Sequence, residues 1–274
     1  MKTAPRHSPR SQAGASPASP DASRPSTTSG GRRRLKRPGV VVLGITGEVA
    51  AGKSRVAREL SQRLPIALVI NADQVAHDQL GDPEVIAALA RRFGPTILSN
   101  PANPSPHAND GGSPVPSVNR RVLGRLVFAD PSARHDLETI LHPPMKRWTI
   151  ARLDELAAAR STTTAPALML LDAPTLFEAG WDDLCDLTLT VRADQASRER
   201  RAAQRGWSAA DLESRDRAQW SGDRKASAAD LVFDNSDLDL DASSPSRAEA
   251  AWDQLAQSLL QRVSDSLENS KCPT

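Results

Sequence analysis

The chain has 274 residues and is 39% hydrophobic, enough for one large domain or two smaller ones with a buried core. No stretch approaches the roughly 18 apolar residues of a membrane helix, no apolar secretory signal is seen, and Cys185 and Cys272 lack metal-site spacing, so a cytoplasmic protein without disulfides or structural metal is expected. The net charge of +2 conceals nine basic residues against Asp21 alone up to Arg37, a net of +8 that leaves −6 for the rest, which argues against a nucleic-acid-binding fold.

Residues 1–38, rich in Ser, Pro, Ala and Arg, cannot bury enough apolar surface to offset chain entropy and are expected to be a disordered basic tail. Its GRRRLKR run (31–37) offers nucleic acid at most a weak contact. From Gly39 the texture changes. VVVLGI (40–45), IALVI (66–70), ALMLLD (167–172) and LTLTV (187–191) read as buried strands, and Ser54 to Leu64 as a helix with Val56, Ala57 and Leu60 on one side, ended by Pro65. Strands alternating with helices imply a parallel α/β sheet covered on both faces, with ligands at the carboxyl ends of its strands. SNPANPSPHANDGGSPVPS (99–117) reads as a surface insertion, 118–160 as a mostly helical subdomain beside the sheet, and 248–267 as a terminal helix with Ala251, Leu255, Leu259 and Val263 at intervals of four.

GEVAAGKS (47–54) fits G-x-x-x-x-G-K-[ST] between a buried strand and a helix. Such a loop turns backbone N–H groups inward as an anion nest, reinforced by the helix dipole. Gly47, Ala50, Ala51, Gly52, Lys53 and Ser54 are therefore ATP-site candidates, Lys53 reaching the β- and γ-phosphates and the Ser54 hydroxyl ligating Mg²⁺. Glu48 is awkward there, since an inward carboxylate repels triphosphate; it is expected to face solvent.

Asp73 follows the second strand, where it serves either as general base toward an attacking hydroxyl or as a helix N-cap. Asp172 ends the third strand and either supports Mg²⁺ or caps the next turn. Arg198, Arg200, Arg201 and Arg205 form a basic helix, read as a solvated face except for Arg201 and Arg205, which stand four apart as a lid over the γ-phosphate.

Taken in order, these segments resemble the dephospho-CoA kinase family from about Val41 to Asn235. Its TGGxxxGKS loop is similar to Thr46–Ser54, its D-A-D to Asn71-Ala72-Asp73, and its N/D-R-x-x-L, F and L-H-P to Asn119–Leu123, Phe128 and Leu141-His142-Pro143. P-L-L-F-E is matched by Pro174–Glu178, the lid R-x-x-x-R by Arg201 and Arg205, and the final Q, K, A-D and D-N by Gln219, Lys225, Ala229-Asp230 and Asp234-Asn235. The resemblance implies a three-layer P-loop NTPase fold over 39–243, with a helical substrate subdomain at 119–160, a lid at 195–225, and a C-terminal helix and tail at 244–274. It also implies ATP-Mg²⁺ as donor and the ribose 3′-hydroxyl of dephospho-CoA as acceptor, both small molecules, with no membrane partner. Lys53, Asp73, Arg201 and Arg205 would be catalytic; Asp73, His142 and Phe177 would meet the substrate; Ser54 and Asp172 would serve the metal. His142 is equally read as a helix contact before Pro143.

Glu48, Arg55, Asn71, Thr175 and Gly206 depart from the family pattern at Gly, Thr, Asp, Leu and Asp respectively. Asn71 keeps a hydrogen bond without a charge, and Arg55, counted with the ATP site, brings a cation beside the phosphates. The rival readings are a nucleoside or nucleotide kinase and a catalytically inactive ATP-binding regulator.

Overall fold

The computed structural model describes residues 37, 39–99, 117–160, 166–236 and 245–271. The basic tail and nearly all of the 99–117 insertion lie outside them, although Leu98 and Val118 bridge where the insertion leaves and rejoins the fold.

Five strands form one parallel sheet: β1 (Val40–Gly47), β2 (Ile66–Asn71), β3 (Ala167–Asp172), β4 (Leu187–Arg192) and β5 (Leu231–Asp234), in the order β2-β3-β1-β4-β5. Alternation along β1 divides its side chains between two apolar cores. Val40 and Val42 join one face, while Val41, Leu43 and Ile45 join the other. That is why β1, packed on both sides and flanked by two strands, reads as an unbroken apolar run.

The first core is roofed by α2 (Ala72–Gln79), α3 (Pro83–Phe93), α4 (Arg120–Ala129) and α5 (Pro131–Ala159). Each begins on a side-chain cap: Asn71, Asp82, Asn119 and Asp130 accept from backbone N–H groups of the following turn. Leu141, Met145 and Leu153 of α5 share this core with β1 and β3, so the helical segment is built into the sheet's own interior. Pro143 and Pro144 lie within α5 and deprive two carbonyls, one turn earlier, of their helical donors.

The second core lies under α1 (Lys53–Arg63) and α9 (Pro245–Lys271). Val56, Ala57 and Leu60 meet Trp252, Leu255, Ala256 and Leu259 there. Trp252, which the interval-of-four reading passed over, is the large anchor, 1% exposed and 5.0 Å from the ring of Phe233. Between β4 and β5 run α6 (Gln195–Gln204), α7 (Ala209–Arg217) and α8 (Gly222–Ala228).

Two expectations need correction. IALVI is an edge strand rather than a buried one; its burial alternates, and Val69 is 48% exposed. The sheet also has a fifth strand, LVFD, too short to stand out as an apolar run and carried by its pairing with β4.

Candidate active site

At the carboxyl end of β1 the chain turns through GEVAAGKS before entering α1. Gly47 is needed for close approach: a Cβ there would stand 2.5 Å from the Val191 carbonyl of β4. Ala50 has φ +60° and Gly52 φ +91°, left-handed residues separated by one other, which is the alternation that curls a backbone into an anion nest. The loop lines a cleft of about 230 Å³ together with Lys53, Ser54, Asp73, Arg205, Trp207 and Arg215.

Lys53 forms an ion pair with Asp172, which is nearly buried and also accepts from Asn71 Nδ2 at 3.3 Å. The parallel register explains the contact, since Asn71 and Asp172 are partners across β2 and β3. Asn71 is also the true cap of α2, its Oδ1 accepting from Gln74 N at 2.9 Å. That corrects the capping alternative for Asp73, which sits in the helix's first turn with its side chain released for chemistry. Although Asp73 as a residue is exposed, protein atoms crowd its carboxyl, and this desolvation raises its pKa. Lys53 opposes the rise and Asp172 adds to it.

Asp73 and Pro174 also line a second chamber of about 180 Å³, walled by α2, α5 and the turn after β3. Its lining is largely apolar, from Ala72, Leu141, Met145 and Trp181, with Glu138 and His142 as polar points. Burial lowers the pKa of His142, so its imidazole is neutral at pH 7. The structure therefore puts His142 on the chamber wall. Phe177 is instead buried behind it, stacked on Trp220 with centroids 6.0 Å apart.

Two of the departures, Glu48 and Arg55, have physical explanations. Glu48 does not face solvent: its side chain is 12% exposed, lies 3.9 Å from Arg192 and 3.8 Å from Arg198, and accepts from Ala193 N at 3.3 Å. Arg198 is likewise no solvated arginine, being buried with Nε donating to the Val49 carbonyl at 2.9 Å. Arg55 turns its guanidinium over the Trp252 ring, 5.6 Å from the centroid, and so leans on α9. Arg201, expected over the γ-phosphate, is buried beside the loop, donating to the carbonyls of Ala51 (3.1 Å) and Asn235 (2.6 Å). Arg205 alone of the lid pair lines the phosphate cleft, exposed beside Trp207.

Nothing in the sequence around Lys225 marks it for chemistry, and it is matched only through the family pattern. It is fully buried, and its ammonium donates to the carbonyls of Gly47 (3.2 Å) and Pro174 (2.7 Å) and to Gln219 Oε1 (2.8 Å), beside Glu178 at 3.3 Å. Burial lowers its pKa and Glu178 opposes that. The spacing of its partners along the chain gave no local signal.

Comparison with known proteins shows similarity over most of the chain. Residues 41–240 match the family model described as dephospho-CoA kinase. A dephospho-CoA kinase of Symbiobacterium thermophilum is 36% identical over 214 residues, 77% of this chain and 80% of that protein. One of Geobacter metallireducens is 40% identical over 199 residues, 72% and 88% of the two chains. Among solved structures, TT1252 from Thermus thermophilus superposes with a TM-score of 0.59 at 30% identity, covering 83% of this chain and 98% of the other.

Proposed function

The chain belongs to the dephospho-CoA kinase family, and we propose that its two chambers hold ATP and dephospho-CoA with Asp73 at their junction as general base. The enzyme phosphorylates the ribose 3′-hydroxyl of dephospho-CoA at the expense of ATP, giving coenzyme A and ADP. One observation carries the assignment of residues: Asp73 and Pro174 are walls of both cavities, so a hydroxyl entering from the apolar chamber meets the phosphate cleft at a carboxylate.

In this reading the loop N–H groups and the start of α1 bind the triphosphate. On nucleotide binding, Lys53 exchanges Asp172 for phosphate oxygens, and Arg205 adds charge from the lid side. Asp73 accepts the proton of the 3′-hydroxyl as oxygen attacks the γ-phosphorus, and its raised pKa strengthens it for that task. His142, neutral, and Glu138 orient the acceptor. The hydroxyl of Ser54, exposed at the first turn of α1, lines the cleft, and the Asp172 carboxylate lies behind it on Lys53; both are hard oxygen donors of the kind Mg²⁺ takes. Bound with the nucleotide, Mg²⁺ would neutralise phosphate charge. Positions 119–160 then serve as the acceptor side and 195–225 as the lid, acting in solution on small molecules; no described helix is long and apolar enough to cross a membrane.

The test is incubation of purified protein with ATP, Mg²⁺ and dephospho-CoA, following products by mass. Coenzyme A and ADP are expected, and neither above background with Lys53→Ala. Phosphorylation of nucleosides or nucleotides in preference to dephospho-CoA would overturn the assignment of the acceptor chamber.

A further inference from the structure

The outer side of the phosphate loop is as fully built as its inner side. Three alternate carbonyls of the loop each receive a buried cation from the segment between β4 and β5. Lys225 of α8 takes Gly47 at 3.2 Å, Arg198 of α6 takes Val49 at 2.9 Å, and Arg201 of α6 takes Ala51 at 3.1 Å, where Asn235 Nδ2 joins it at 2.7 Å. All three cations are less than a tenth exposed.

A trans peptide is planar with its C=O and N–H opposed, so fixing a carbonyl outward aims the next residue's N–H the other way. Holding Val49 and Ala51 thus turns the N–H groups of Ala50 and Gly52 toward the cleft that both residues line. Lys225 acts one step earlier. The Glu48 N–H is already committed to the Val191 carbonyl at 3.2 Å, and Lys225 fixes the strand end from which the loop departs.

Glu48 belongs to the same assembly. Its carboxylate is gathered by Arg192, Arg198 and the Ala193 N–H, while Arg198 also pairs with Asp216 of α7 and Arg192 with Asp223 of α8 at 2.8 Å. The floor of this receptacle is Gly222, where a Cβ would collide with the Glu48 carboxylate. A glutamate at the loop's second position therefore has a place to go, and a side chain at 222 would expel it.

We propose that Arg198, Arg201 and Lys225 are positioning residues that set the phosphate loop for ATP by holding its outward carbonyls, and that Glu48 locks the loop onto this brace because Arg192 and Arg198 draw its carboxylate over Gly222 and off the phosphates. The inference rests on the ATP site proposed above, yet its readout is separate: the affinity for ATP-Mg²⁺, measured calorimetrically, which needs no turnover. Absence of nucleotide binding in the unaltered protein would overturn the site itself.

With binding established, Gly222→Ala is expected to weaken ATP about tenfold while the KM for dephospho-CoA stays within twofold. Glu48→Gly added to the same chain should restore ATP affinity to within twofold of the starting protein, because the displaced carboxylate is gone. Arg198→Lys, which keeps the charge and loses the fork, should also weaken ATP several-fold with the acceptor KM unmoved. A merely structural brace would lower the melting temperature and leave this split and this rescue absent. Unchanged ATP affinity in Gly222→Ala, an equal loss in the presence of Glu48→Gly, or parallel losses for both substrates would each overturn the proposal.

Discussion

Asp73 and Lys53 face the same cleft with opposite demands. As the proposed base, Asp73 must be ionised to accept a proton, and desolvation holds its pKa above the ordinary carboxylate value of 3.8. Activity carried by the ionised form is present above that raised pKa and lost as pH falls through it. The acid limb of kcat/KM is therefore expected at higher pH than for an ordinary carboxylate, and Asp73→Asn should lower kcat by roughly 10²–10⁴ and remove the limb. An unchanged acid limb in Asp73→Asn, followed by steady-state kinetics across pH, would assign the titration to another group. For Lys53→Ala, loss of transfer is joined by a stability cost, since the nearly buried Asp172 loses its ion pair and keeps the hydrogen bond from Asn71. Circular dichroism should show a retained fold that melts earlier than the starting protein, and addition of ATP-Mg²⁺ should raise that melting temperature far less.

At the scale of elements, α9 supports the phosphate site from behind. Trp252 fills the core beside α1, Arg55 lies over its ring, and Arg63 of α1 reaches Asp253 at 3.0 Å and also pairs with Glu249. Trp252→Ala should cost about 3–5 kcal/mol by cavity formation. For a domain of this size that lowers Tm on the order of 10 °C by scanning calorimetry. A Tm within about a degree of the starting protein would mean that α9 does not brace α1. The central strands β1 and β3 were legible because burial on both faces leaves a continuous apolar run, β4 because its Leu and Thr residues suit a pleated strand, and the phosphate loop because its residues are consecutive. The edge position of β2 was not, since IALVI carries no mark of which neighbour lies beyond it. LVFD escaped for a related reason: four residues become a strand only by pairing with LTLTVR. Likewise Arg198 and Lys225 look like surface cations in a polar helix. Their buried partners are the carbonyls at positions 49 and 47, which lie 149 and 178 residues away in the chain.

For the whole molecule, the meeting of two chambers at one carboxylate poses a selectivity problem. Water is smaller than any sugar hydroxyl and could use the same base. The fold opposes this by building the two sides separately: the acceptor wall from α2 and α5, the donor side from the loop and the α6–α7 turn that carries Arg205 and Trp207. Arg215 of α7 connects the two sides, its guanidinium 4.1 Å from the Trp207 ring and 5.9 Å from that of Phe128 on α4. In the proposed arrangement, an acceptor filling the apolar chamber displaces water from Asp73 and holds its hydroxyl in line, a gain of effective concentration that free water lacks. ATP hydrolysis without dephospho-CoA should therefore run at least about 100-fold slower than transfer, as read by ADP release in the two conditions. Glu138→Ala, which opens the acceptor wall without touching the donor side, should raise the KM for dephospho-CoA while leaving that of ATP unchanged. If hydrolysis instead proceeds at a rate comparable to transfer, the acceptor chamber does not control access to Asp73, and the discrimination against water must come from lid closure on the donor side.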